Sequence, residues 1–143
     1  MPGDYSKIAL TDAARQTLLE EADVMRFASV DAEGLPHVVP VAFTEFDGTL
    51  YFETNADSVK TRNVTATSRA AAVVDRGTAD YNEHRGLQWR GEAYIVEDQA
   101  MEKAVERAIF GTEKSSKEAG GHKRVKIALE PTWEVSWDFR RLG

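Results

Sequence analysis

The sequence predicts a mainly β fold, an antiparallel β-barrel with a few α-helices over its ends. Three observations predict it. About seven short segments alternate apolar with polar residues or run β-branched. Turn signals separate them at short intervals, and no strand–helix–strand rhythm appears. Only two or three segments carry a helical pattern.

The elements follow in order. A first helix is expected from about Thr11 to Ala22, because Thr11 is a capping residue and Asp12 suits the positive helix end. "VMRFASV" (24–30) reads as a strand that ends at the turn "DAEG" (31–34). "PHVVPVAFTEF" (36–46) reads as a second strand, closed by the hairpin signal Asp47-Gly48. "TLYFET" (49–54) returns as a third, so two successive hairpins predict a meander. Pro40 cannot donate to a ladder, which places it at an edge, a bulge or a barrel bend.

"VKTRNVTATS" (59–68) reads as a short helix, "AAAVVD" (70–75) as a buried strand and 77–86 as a polar loop. In "LQWRGEAYIVE" (87–97), Trp89, Gly91, Ala93 and Ile95 share one face. The clearest helix is 98–110, with Met101, Ala104, Val105, Ala108 and Ile109 on one side. A polar loop is expected at 111–121 and a strand at 123–130. Pro131 is expected to break that strand before a last one at 132–139.

The chain has 143 residues and no cysteine, and the expectation is one domain without disulfides or thiolate metal sites. No stretch approaches the ~18 apolar residues of a membrane span, and no apolar leader opens the chain. A soluble, cytoplasmic protein is expected. The net charge of −6 argues against nucleic acid as a partner, since phosphate contacts need a basic surface. His37, His84 and His122 lack metal-site spacing, so no metal is expected. No nucleophile elbow, P-loop or dinucleotide fingerprint is present.

The junction "DSVKTRN" (57–63) runs against the acidic background. Ser58 and the first N–H groups of the following helix suit an anion, with Lys60 and Arg62 adding charge. The same residues also suit an ordinary capped surface helix. Of the three tryptophans, Trp137 suits a wall for a planar ring, whereas Trp89 and Trp133 are expected in the core.

In combination, "FASVDAEGLPHVVPVAF" (27–43), "DGTLYFETNADSVKTRNV" (47–64), "RAAAVVD" (69–75) with "WRGEAYIVED" (89–98), and "SWDFRRLG" (136–143) resemble a known family. It is the split β-barrel family of pyridoxamine 5′-phosphate oxidase, whose members bind FMN or the deazaflavin coenzyme F-420. The resemblance implies that Val39, Pro40 and Val41 lie along the ring edge, and that Thr54 and Asn55 meet the ring or ribityl chain. It implies a phosphate on Ser58, Lys60, Thr61 and Asn63, with Arg62 and Arg69 available to an acidic tail. It further implies a homodimer in which Gln88, Trp89 and above all Trp137 reach the partner's cofactor.

The family's vitamin B6 enzyme ends with an Arg-x-His motif, but this chain ends Arg140-Arg141-Leu142-Gly143, so that reaction is not expected. "SWDFRRLG" looks more like the deazaflavin branch. The neutral run Val64–Ser68, where that branch often carries bases, keeps FMN as the other cofactor. The resulting expectation is an oxidoreductase that passes hydride to or from a small conjugated or quinone-like substrate. A non-catalytic cofactor-binding or storage protein and a ligand-free interaction module are the alternatives. No catalytic residue is assigned; Tyr81 and His37 are the proton-donor candidates.

Overall fold

The computed structural model describes residues 6–111 and 122–142; the polar loop expected at 111–121 lies, apart from Gly111, outside the described residues. Seven strands form one antiparallel sheet: β1 (Val24–Val30), β2 (Pro36–Ala42), β3 (Thr44–Phe46), β4 (Thr49–Asn55), β5 (Arg69–Arg76), β6 (Arg85–Ile95) and β7 (Arg124–Asp138). Their spatial order is β2-β1-β5-β6-β7-β4-β3. Among the described residues three α-helices accompany them: α1 (Asp12–Glu21), α2 (Val59–Thr67) and α3 (Gln99–Phe110).

The edge strands explain the curvature. β2 and β3 lie at opposite edges of the sheet, yet Phe43 alone separates them in the chain. A sheet whose two edges are joined by one residue must curl until they meet, which makes a barrel. The expected single strand 36–46 is therefore two. Its first half pairs with β1 and its second with β4, so the expected meander is interrupted at this point. Pro40 sits opposite Arg26 on β2, which pairs only with β1, so the edge placement holds.

Pro131 does not break the last strand. β7 runs through it because the β6–β7 register shifts between Arg90 and Gly91, and Thr132 is the extra residue. A bulge disrupts the ladder locally, and the paired residue next to it, Pro131 opposite Gly91, is where a missing N–H is tolerated. Gly91 belongs to the same device. A Cβ on it would lie 1.9 Å from the Glu130 carbonyl oxygen, so only glycine lets β6 approach so closely.

Alternation along the strands fills the barrel. Phe27, Leu50, Phe52, Leu87, Trp89, Ile127 and Leu129 are fully buried inside it. Phe27 and Phe52 meet with ring centroids 4.6 Å apart, in a tilted arrangement that aromatic pairs favour. Trp133 departs from expectation. It is 40% exposed, with the Arg90 guanidinium 4.0 Å above its ring. It belongs to the outer face because the bulge resets which side chains point inward. A second, smaller cluster (Tyr51, Val96, Val105 and Ala128) seats α3 on the outer face of β4 and β7. Thr11, Ser58 and Asp98 cap the three helices with side-chain oxygens. Among the described residues no helix is long and apolar enough to cross a membrane, and no group of acidic or histidine side chains suits a metal ion.

Candidate functional site

β2 approaches β4 without forming a ladder with it, and a cavity of about 300 Å³ opens at this seam. Pro40 and Val41 of β2 wall one side, with Glu53 and Thr54 of β4 facing them. Lys60 comes from the first turn of α2, Arg124 from the start of β7, and Ile109 and Phe110 from the end of α3. Apolar walls around two cations suit a ligand with a flat apolar body and an acidic end.

The junction holds its shape through a chain of hydroxyls. Ser58 Oγ accepts the Thr61 N–H at 3.2 Å and so caps α2. Thr54 Oγ1 donates to Ser58 Oγ at 3.3 Å, and Ser58 Oγ lies 3.0 Å from Thr61 Oγ1. Thr61 Oγ1 donates in turn to the Asn55 carbonyl at 2.8 Å. The capped-helix reading thus holds, and it leaves the N–H groups of Val59 and Lys60 without an acceptor in the helix. Asn63 is buried, and its amide donates to Ser29 Oγ at 3.1 Å across to β1. Thr61 and Asn63 therefore shape the junction from beneath, whereas Lys60 faces the cavity.

The electrostatics beside the cavity are uneven. Lys126, 3% exposed, donates to Glu53 at 2.9 Å and to Glu106 of α3 at 3.3 Å. Arg124 donates to the Asn55 side-chain oxygen and lies 3.6 Å from Glu53. Its Nε is buried without a hydrogen-bond partner. Among the described residues no ion pair is formed by Lys60. Burial, and then the positive charge of Arg124, hold the Lys60 ammonium below its ordinary pKa. Lys60 and Arg124 thus share one partly dry hollow with a Glu53 carboxylate that Lys126 and Arg124 already engage, and an anion there would offset the charge of Lys60. An acidic phosphate end fits these residues on that ground.

Pro40, Val41, Thr54 and Lys60 line this cavity, and Ser58, Thr61 and Asn55 brace it. Val39 lies half-buried next along β2, and Arg62 is exposed on α2. Arg69 is exposed at the start of β5, where it lines a separate hollow with Arg90 and Glu92. Trp89 is in the core, 1% exposed, and its indole donates to Glu134 at 2.8 Å. Gln88 is half-buried between Val73 and Val135. Trp137 lines another hollow beside Val73 and His84, with its ring against Gly86. Neither Gln88 nor Trp137 reaches the cavity of its own chain.

Of the proton-donor candidates, Tyr81 stacks between His84 and Phe139. His37 faces inward from β2 with a buried, unpartnered Nδ1. Neither lines the cavity. Sequence reasoning missed Arg124, Glu53, Ile109 and Phe110. The only signal for Arg124 is a ladder that sets it opposite Asn55.

The sequence profile described as pyridoxamine 5′-phosphate oxidase matches residues 10–137. Among solved structures, the conserved hypothetical protein Rv2991 of Mycobacterium tuberculosis is 24% identical, with a TM-score of 0.84 over 99% of this chain and 93% of that one. A protein described as an F420 reductase is 27% identical, with a TM-score of 0.63 over 94% of this chain and 98% of that one. HutZ, the heme storage protein of Vibrio cholerae, is 15% identical, with a TM-score of 0.67 over 87% and 94%. No curated protein matches the chain. The Rv2991 and HutZ likenesses carry the fold alone. The profile match spans β1 to β7, including the seam and both of its cations, so the chain belongs to the pyridoxamine 5′-phosphate oxidase family of split β-barrels.

Proposed function

We propose that this chain is an oxidoreductase that binds FMN or coenzyme F-420 without a covalent bond and passes hydride to or from a small conjugated or quinone-like substrate. One observation carries the reading: Lys60 and Arg124 converge on a cavity walled by Pro40 and Val41, and no ion pair occupies Lys60 among the described residues. A cofactor of this kind supplies the hydride chemistry when bound. The chain's own part is to hold the acidic end and to exclude water with Ile109 and Phe110. About 300 Å³ is at the small end of ligand pockets, so Pro40 and Val41, with Val39 next along β2, would hold the ring system of such a cofactor. The likeness to an F420 reductase supports the deazaflavin choice. The neutral run Val64–Ser68 supports FMN.

The active unit in this reading is a homodimer. Gln88 and Trp137 lie away from their own cavity, so only a second copy brings them to a cofactor. Parallel fluorescence titrations with FMN and F-420 test the binding, followed by reduction of a panel of quinones and enones. Saturable quenching by one cofactor and turnover of at least one acceptor are expected. If neither cofactor is bound, the reading is wrong. Binding without turnover favours a storage role, which the absence of Tyr81 and His37 from the cavity lining would suit.

A further inference from the structure

We propose that Arg124 is the second cation of the anion subsite, and that its guanidinium and the Lys60 ammonium together clamp the phosphoryl group of the bound cofactor. The inference rests on the cofactor reading above and adds a residue that no motif assigns.

The competing explanation is structural: Arg124 serves only to neutralise Glu53. The distances argue otherwise. Lys126 already holds Glu53 at 2.9 Å, whereas Arg124 stands off at 3.6 Å. Arginine offers five donors in a fixed fork. Here one arm donates to the Asn55 side chain, and Nε is buried without a partner. A guanidinium with one arm on Asn55 and the other only at a loose 3.6 Å from Glu53 keeps donor capacity for an acceptor that enters the cavity. The position agrees. Arg124 opens β7 directly opposite Asn55, the last residue of β4, so the ladder presents it at the foot of α2. Lys60 is the second residue of that helix and lines the same cavity. Both cations line one cavity of about 300 Å³, which is small enough for a single ligand to meet the two of them. The planar fork suits two phosphate oxygens, and the ammonium supplies a point charge.

The test compares ligands with and without a phosphate: FMN against riboflavin, titrated by fluorescence into the full chain. Arg124→Gln is expected to weaken FMN roughly 10- to 150-fold and to leave riboflavin unchanged. Arg124→Lys is expected to recover part of the loss, since it keeps charge but not the fork. Lys60→Gln and the double variant complete a cycle, in which losses smaller than additive indicate one shared phosphate. Equal losses for FMN and riboflavin would mark Arg124 as a support for Glu53 and overturn the proposal. So would unchanged FMN affinity. If Arg124→Gln fails to fold by circular dichroism, Arg124→Lys carries the same comparison. Wild type that binds none of FMN, riboflavin and F-420 defeats the cofactor reading itself. Wild type that binds FMN while Arg124→Gln binds it equally well defeats only the role of Arg124.

Discussion

At the end of β7 the Arg140 guanidinium grips Asp138 with two parallel bonds, Nε to Oδ1 at 2.8 Å and Nη2 to Oδ2 at 2.9 Å. Arg140 holds the Asp138 carboxyl below its ordinary pKa, even though burial alone would raise it. A depressed acid stabilises the fold above its unfolded value, about 3.9, and loses that contribution as pH falls through the folded value. Asp138→Asn is therefore expected to cost roughly 1 kcal/mol at neutral pH, a figure kept low because Arg140 is 41% exposed. The gap from wild type should close as pH drops below about 4. Urea unfolding at pH 7, 5 and 3 checks it, and a gap independent of pH would refute the ion pair. The same scale governs Lys60. Lys60→Ala is expected to weaken FMN by about 1.5–3 kcal/mol in titration, with unfolding unchanged, because its ammonium faces a cavity rather than a partner in the fold.

Gly91 argues at the scale of the element. Its missing side chain lets β6 and β7 touch at the bulge, and a methyl group there meets backbone rather than a side chain that can swing away. Gly91→Ala is expected to destabilise the barrel by about 2–3 kcal/mol, read as a lower midpoint in urea. A neutral result would show that the bulge can relax. This element also shows what a sequence withholds. Local chemistry was legible: the cap at Ser58, the turn at Asp47-Gly48 and the alternation in "TLYFET" each depend on neighbours in the chain. Pro131 was misleading because its consequence depends on a register shift against Arg90 and Gly91, about forty residues away. Trp133 followed it onto the outer face. Phe43 carried no mark of being the corner between two edges, since that role follows from which strands pair. At the site, the cationic Lys60 was visible against an acidic chain, whereas Arg124 came into view only through the ladder that sets it opposite Asn55.

For the whole molecule the division into two cores matters most. The barrel interior is continuous from Met25 to Leu129, but α3 is seated on a separate four-residue cluster across β4 and β7. Tyr51 and Ala128 face each other on that outer side, while their neighbours Leu50 and Leu129 point into the barrel. The two faces of one strand pair thus support two separate clusters, and the smaller one is expected to open at lower free energy. Lys126 adds a second tie, reaching Glu106 of α3 from β7. The far end of α3 contributes Ile109 and Phe110 to the cavity, so a loosened helix opens the hollow beside Lys60 and Arg124 to water. Val105, fully buried at the centre of the small cluster, is the place to test this. Val105→Ala removes two carbons and is expected to cost about 1.5–2 kcal/mol locally. Hydrogen exchange in α3 should accelerate, while amides of β5 and β6 keep the protection of the barrel. FMN affinity should fall together with α3 protection, although Val105 does not line the cavity. Uniformly faster exchange across helix and barrel would mean that the two cores unfold as one. The cavity wall would then be as rigid as the sheet behind it.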